Sequence, residues 1–345
     1  MTMVTAAQNH AAAAGGATPC AARPSPSAPL MTSRPQDSAP GDAAAAGDAF
    51  HLDRHLLRRR FARAAATSDG ADPLIREIAR RMDERLDYIR LAPKRILDLG
   101  CGTGADLERL GERFPEAQVI AADFALPMLA RARARKPSAP PGGLLRRLLG
   151  GGGKPLPAVA ADARSLPFAH GTLGMVWSNL MLAALDDPLP ALQEIHRVLE
   201  VGGLLMFSTL GPDTLRELRA VLPAGSGERV HRFIDMHDIG DTLVKAGFAD
   251  PVMDMEMLTL TYADLDGLFA DLRATGSTNA STARPRGLSG RRAWSEARAA
   301  YERLRSGGRL PASFEIIQGH AWKAAPKTAA DGRSIVRFHP RPLPH

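Results

Sequence analysis

The chain has 345 residues, a formal net charge of +7, 45% hydrophobic residues and two cysteines. That length suits one large domain or two small ones, two cysteines without C-x-x-C spacing exclude a disulfide framework, and no stretch reaches the roughly 18 apolar residues of a membrane span. Arginine dominates the basic charge, which favours an acidic partner without choosing among nucleic acid, anionic lipid and protein.

Residues 1–50 are rich in alanine, proline, glycine and serine, with no apolar periodicity, and are expected to form a disordered tail. Residues 51–92 predict two helices, one carrying Leu52, Leu56, Leu57 and Phe61, the next Leu74, Ile78, Met82, Leu86 and Ile89. Ile96, Leu97 and Leu99 then form the short apolar run of a buried parallel strand. Gly100, Gly102 and Gly104 follow at once, and a helical run begins at Ala105, so strand, glycine turn and helix open a βαβ unit. Glycines let the backbone approach a ligand closely, and unpaired N–H groups at the helix start face it. Asp98 lies in that strand just before the turn, and a carboxylate there suits a ligand with positive charge. The same residues, Gly100-x-Gly102-x-x-Ala105, also fit a dinucleotide fingerprint, with Asp123 about 20 residues on, where a ribose-binding acid is wanted.

Further strands are predicted at 118–123, 158–162, 173–179 and 203–209, with helices between them. The helix PLPALQEIHRVLE is expected to stop at Gly202-Gly203. Residues 137–157, with prolines and four consecutive glycines, read as a mobile insertion. A sixth strand is expected at 251–262 and a seventh at 313–324, with helical stretches between them over 263–310. The pattern predicts a doubly wound α/β sheet whose seventh strand is antiparallel and inserted at the sheet edge. Residues 51–92 and 263–310 would form a helical cap on a 51–324 domain, and 325–345 a disordered tail. The acids Asp98, Asp123 and Asp162 fall at three successive strand ends, which puts the ligand at the carboxyl edge of the sheet.

RILDLGCGTGADL (95–107) resembles motif I of the class I S-adenosylmethionine-dependent methyltransferases. The resemblance implies a Rossmann-like sheet with S-adenosylmethionine as co-substrate, its ammonium and sulfonium matching Asp98. Asp123 would accept the two ribose hydroxyls, and Phe124 would lie against the adenine or in the core. Asp162 with Ala163 resembles the pair that reads the adenine edge. Asn179 would sit beside the sulfonium methyl as the catalytic residue, or cap the following turn. The histidines are too widely spaced for a metal site, and none is expected.

LLMFSTLGPDTLRELR (204–219), the stretch HRFIDMHDIGDTLVKAGFADPVMDMEMLTLTY (231–262), RRRFARAAAT (58–67) and GRLPASFEIIQGHAWK (308–323) resemble the malonyl-acyl-carrier-protein O-methyltransferases of the biotin pathway. Methyltransferase-like proteins of mitochondrial complex I assembly share much of this pattern, so an assembly factor or protein-modifying relative of that type and a methyltransferase for another small molecule remain the alternatives. The family implies methyl transfer to the free carboxylate of a malonyl thioester on acyl carrier protein, or of malonyl-CoA. The partner would be that acidic carrier and not nucleic acid, and the chain a cytoplasmic monomer. Arg284, Arg286, Arg291 and Arg292 are the candidates for holding substrate or carrier. Two departures stand out: the family commonly reads A-T-Y-D where this chain has Ala66-Thr67-Ser68-Asp69, and a histidine–tryptophan pair where it has Ala183-Ala184.

Overall fold

The computed structural model describes residues 3–6, 50–135, 156–222, 227–287 and 290–326. In chain order the elements are β1 (Met3–Ala6), α1 (Arg54–Ala64), α2 (Pro73–Arg85), β2 (Arg95–Leu99), α3 (Leu107–Arg113), β3 (Gln118–Asp123) and α4 (Leu126–Ala134). Then come β4 (Ala158–Ala160), β5 (Leu173–Ser178), α5 (Leu189–Val198), β6 (Leu199–Leu210), α6 (Arg216–Val221) and α7 (Met236–Lys245). β7 (Ala249–Tyr262), α8 (Leu265–Ala274), α9 (Arg291–Glu302) and β8 (Leu310–Trp322) complete the described residues.

One sheet runs in the order β1-β7-β8-β6-β5-β2-β3-β4. β2, β3, β4, β5 and β6 pair in parallel, as their continuous apolar runs require when both faces are covered. The chain moves outward from β2 through β3 to β4, then returns to β5 on the other side of β2. That reversal opens a crevice at the carboxyl ends of β2 and β5, where ligands of open α/β sheets bind.

β8 is antiparallel to its neighbours β6 and β7. It is thus the expected antiparallel strand, but it slots between the fifth and sixth predicted strands, and β7 lies outside it. β1 pairs antiparallel with β7 and adds an eighth strand. These four residues fall inside the segment expected to be disordered. β1 takes up the outer edge of β7 from Leu258 to Thr261, an edge that β8 leaves open. The remainder of 1–49, the insertion through 155 and residues 327–345 lie outside the described residues. Among the described residues no helix is long and apolar enough to cross a membrane.

β6 begins at Leu199, earlier than Gly203, because Leu199 pairs with Leu173 directly after α5; the glycine pair sits within the strand, next to a register shift. β7 and β8 run past the end of β6, pairing Met257 with Glu315 and on to Tyr262 with Leu310. This extension carries α8 and α9. The loop after β6 is fastened to it: the Gly211 N–H donates to the Glu315 carbonyl (2.9 Å), the Asp213 N–H to the Glu315 carboxylate (2.6 Å) and the Leu215 N–H to the Ser313 carbonyl (2.6 Å). A Cβ at Gly211 would fall 2.3 Å from Glu315 Cδ, and that carboxylate is buried and held. Gly211→Ala is therefore expected to cost about 1–3 kcal/mol through overpacking, read as a lower denaturant midpoint at unchanged slope.

Candidate active site

Asp98 projects from β2 into a cavity of about 590 Å³ at the carboxyl edge of the sheet. The sheet side of the wall is the glycine turn with Asp98, Asp106, Asp123 and Asn179; α1, α8 and residues 275–287 supply much of the helical side. The turn is positioned by β3: the N–H groups of Gly100 and Cys101 both donate to the Ala122 carbonyl, at 2.8 and 3.0 Å. Gly100 takes φ +77, and a Cβ there would meet Met181 Cβ at 2.6 Å, so only glycine fits.

Asp98 is 2% exposed, and its Oδ2 is buried without a hydrogen-bond partner. Burial first, then the charges of Asp106 and Asp123, push it well above the usual carboxylate range. A buried acid aimed into a cavity and lacking a partner is the wall of a site for a cation or a donor. Asp123 accepts from the Gly102 N–H (3.0 Å) and the Ala125 N–H (2.7 Å), one on each oxygen. Each oxygen keeps a lone pair for a vicinal diol, and burial raises this acid too. These residues fit an adenosyl sulfonium ligand.

A second, smaller cavity of about 50 Å³ shares Gly100, Asp123 and Phe124 with the first and adds Asp162 and Ala163. Asp162 is not an open acceptor here. Its carboxylate takes the Arg164 N–H (3.0 Å) and an ion pair from Arg54 of α1. Phe124 packs edge-on to Phe61 of α1, with ring centroids 5.9 Å apart. It therefore forms a wall between α1 and the turn.

Asn179 belongs to a network. Its amide donates to the Ile75 carbonyl in α2 (3.2 Å) and to Asp106 (3.2 Å), and its oxygen accepts from Ser208 (2.8 Å). Asp106 also accepts from the buried Trp177 indole (2.9 Å). Ser208 in turn accepts the N–H of Leu180, which sits at φ 60. Both amide protons of Asn179 are thus used by protein, and the side chain ties α2, β6 and the start of α3 together at the cavity wall. The sequence reading missed Asp106. Its signal was an acid in the first turn of the predicted helix, where a cap is common, but the side chain turns inward to the indole instead.

The four candidate arginines separate. Arg284 lines the cavity, whereas Arg286, Arg291 and Arg292 are exposed, Arg292 pairing with Glu296 at 2.8 Å. Arg60 and His231 also line the cavity and were not anticipated. His231 stacks on Phe233 at 5.0 Å, and burial pulls its pKa down to about 4, so the imidazole is neutral. Ser68, at the position of the family tyrosine, is buried against the cavity with its hydroxyl unpartnered.

The inserted antiparallel strand and the acid-lined crevice at the switch point define a class I methyltransferase. Residues 97–207 match the methyltransferase domain family. A malonyl-[acyl-carrier protein] O-methyltransferase of Laribacter hongkongensis is 51% identical over 85% of this chain and 98% of its own length. One of Gallionella capsiferriformans is 49% identical over 84% of this chain and 97% of its own. Among solved structures, the YcgJ protein of Bacillus subtilis has a TM-score of 0.48 at 16% identity, covering 73% of this chain and 100% of that one. The chain belongs to the malonyl-[acyl-carrier protein] O-methyltransferase family.

Proposed function

We propose that the chain moves the methyl group of S-adenosylmethionine onto the free carboxylate of a malonyl thioester carried by acyl carrier protein, in the synthesis of the pimelate part of biotin. The observation that carries this reading is the 51% identity to a relative of that name across 98% of the relative's length. The cavity supports it. Asp98 offers a buried negative charge to the donor's cationic end, Asp123 offers acceptors to its ribose, and apolar residues with half-buried arginines make up the helical side.

S-adenosylmethionine supplies an electrophilic methyl on a positively charged sulfur. The malonyl carboxylate, with a reference pKa near 4, is already ionised at neutral pH and needs no general base. One carboxylate oxygen forms the new O–CH3 bond as the S–CH3 bond breaks, leaving a neutral ester and a neutral thioether, and no proton moves. The residues therefore bind, align and exclude water, and alignment alone supplies up to about 7–11 kcal/mol. Asn179, locked by Asp106 and Ser208, acts here as a positioning residue for the wall at Leu180.

Expression of the chain in a biotin auxotroph lacking its own malonyl-carrier methyltransferase tests the reading. Growth without biotin that depends on Asp98 is expected, and no growth from a chain that binds S-adenosylmethionine would point to another acceptor. The exposed Arg291 and Arg292 suit docking of an acidic carrier. Reversing both to glutamate is expected to raise KM for the carrier-bound substrate and flatten its salt dependence, with S-adenosylmethionine affinity unchanged. Stopped-flow association at two ionic strengths measures this.

A further inference from the structure

Arg60 and Arg284 both line the large cavity, from α1 and from the loop before α9. Arg284 donates to the Ser281 carbonyl (2.8 Å) and pairs with Asp53 at 3.2 Å. Arg60 spends one terminal nitrogen on the carbonyls of Thr278 (2.8 Å) and Asn279, and among the described residues it has no carboxylate at ion-pair distance. The two guanidinium groups feel each other: after burial, the charge of Arg284 is the next cause holding Arg60 below the ordinary guanidinium range.

The acids that could neutralise this pair are engaged elsewhere. Asp53, already bonded to the Leu56 N–H, is the one carboxylate shared with it. Glu228 is taken by Arg232 and the Ser281 hydroxyl, and Asp186 accepts the Leu52 N–H. Of the acids in the helical wall, Asp72 pairs with Arg76 and Asp271 accepts the Tyr262 hydroxyl. His231, which lines the same cavity, is neutral. Two half-buried cations therefore share one anion, beside a cavity. Taking charge out of water is costly unless it is paired, so an arrangement one anion short is a site for one.

We propose that Arg60 and Arg284 together bind the carboxylate of the malonyl group and so select malonyl over uncharged acyl thioesters. This rests on the proposed function and names the residues that make the acceptor choice. The planar fork of arginine matches a carboxylate, and an oxygen held by one N–H keeps a lone pair for attack on the methyl. Arg60 also joins α1 to the 275–287 loop through its bonds to Thr278 and Asn279, so an anion held there bridges both elements.

The test compares Arg60→Gln, Arg284→Gln and the lysine variants with the parent, using malonyl-N-acetylcysteamine as substrate and acetyl-N-acetylcysteamine as inhibitor. Each glutamine variant is expected to raise KM for the malonyl thioester by about tenfold or more, with inhibition by the acetyl thioester and S-adenosylmethionine affinity within about twofold of the parent. Lysine should restore part of the preference, which a merely structural role would not require. S-adenosylmethionine binding by calorimetry certifies that a variant is folded. If Arg284→Gln fails that check, Arg60→Gln, which loses no carboxylate partner, carries the comparison. Unchanged malonyl-over-acetyl preference overturns the assignment. So does a KM that rises only with the intact carrier protein, which would assign the pair to the phosphate of the carrier's arm. So does loss of S-adenosylmethionine affinity in parallel, which would assign it to the donor's own carboxylate. A parent chain that methylates neither thioester nor carrier overturns the proposed function itself, an outcome distinct from all of these.

Discussion

Asp98→Asn is expected to weaken S-adenosylmethionine binding by about 2–5 kcal/mol while raising the melting temperature of the ligand-free chain. The two effects share one cause. Asp98 is buried with an unpartnered oxygen, and burial and its acidic neighbours raise its pKa. An acid whose folded pKa lies above its unfolded value loses stability as pH rises from the unfolded pKa through the folded one, because the unfolded chain releases its proton first. The amide removes that penalty and keeps the shape. It also removes the charge that attracts the donor's cationic end. In the parent chain, affinity for S-adenosylmethionine should rise with pH as Asp98 ionises, over a window above the ordinary carboxylate range. Binding should release a proton, seen as a calorimetric enthalpy that changes with the ionisation enthalpy of the buffer. An affinity flat with pH, together with an unchanged affinity in Asp98→Asn, would remove Asp98 from the site.

Asp106 gives the second large effect, and its two variants separate hydrogen bonding from charge. Asp106→Ala strands the Trp177 indole N–H, fully buried, and frees the Asn179 amide. The expected loss is about 2–4 kcal/mol of stability, with a lower turnover rate because the wall at Leu180 loses its brace. Asp106→Asn can offer one oxygen to both donors, since the same Oδ2 accepts both in the parent. Its stability should stay close to the parent's. It also removes a negative charge that raises the Asp98 pKa, so the pH at which S-adenosylmethionine affinity falls should move lower. Chemical denaturation and a pH series of binding isotherms measure both variants. Equal destabilisation by asparagine and alanine would mean that Asp106 acts through its charge and not through the network.

What the sequence made legible follows short-range rules. The run Ile96 to Leu99, the glycine turn and the helix after it lie within a dozen residues, and periodicity and glycine spacing are local signals. So are the acids at the ends of β2 and β3, which the structure places on the cavity wall. The antiparallel strand was readable from the long excursion before it, but its slot between β6 and β7 depends on which edge groups remain free after the parallel strands have paired. Other features join residues too distant in sequence for any pattern to report. Arg54 reaches Asp162 across 108 positions, and Arg60 reaches Asn279 across 219. The four candidate arginines looked alike as a charge run. Only the fold turns Arg284 into the cavity and leaves Arg291 and Arg292 in solvent. Asn179 was read for its chemistry, and its tie to Asp106 and Ser208 became visible once three elements met.

Purified chain incubated with methyl-labelled S-adenosylmethionine and malonyl-acyl carrier protein is expected to methylate the carrier-bound malonyl carboxylate. The label on the carrier should be released by mild base, as a methyl ester is, with none on acetyl-acyl carrier protein and one molecule of S-adenosylhomocysteine per methyl transferred. Label absent from the malonyl carrier in a chain shown to bind S-adenosylmethionine, or label that survives base, would contradict it.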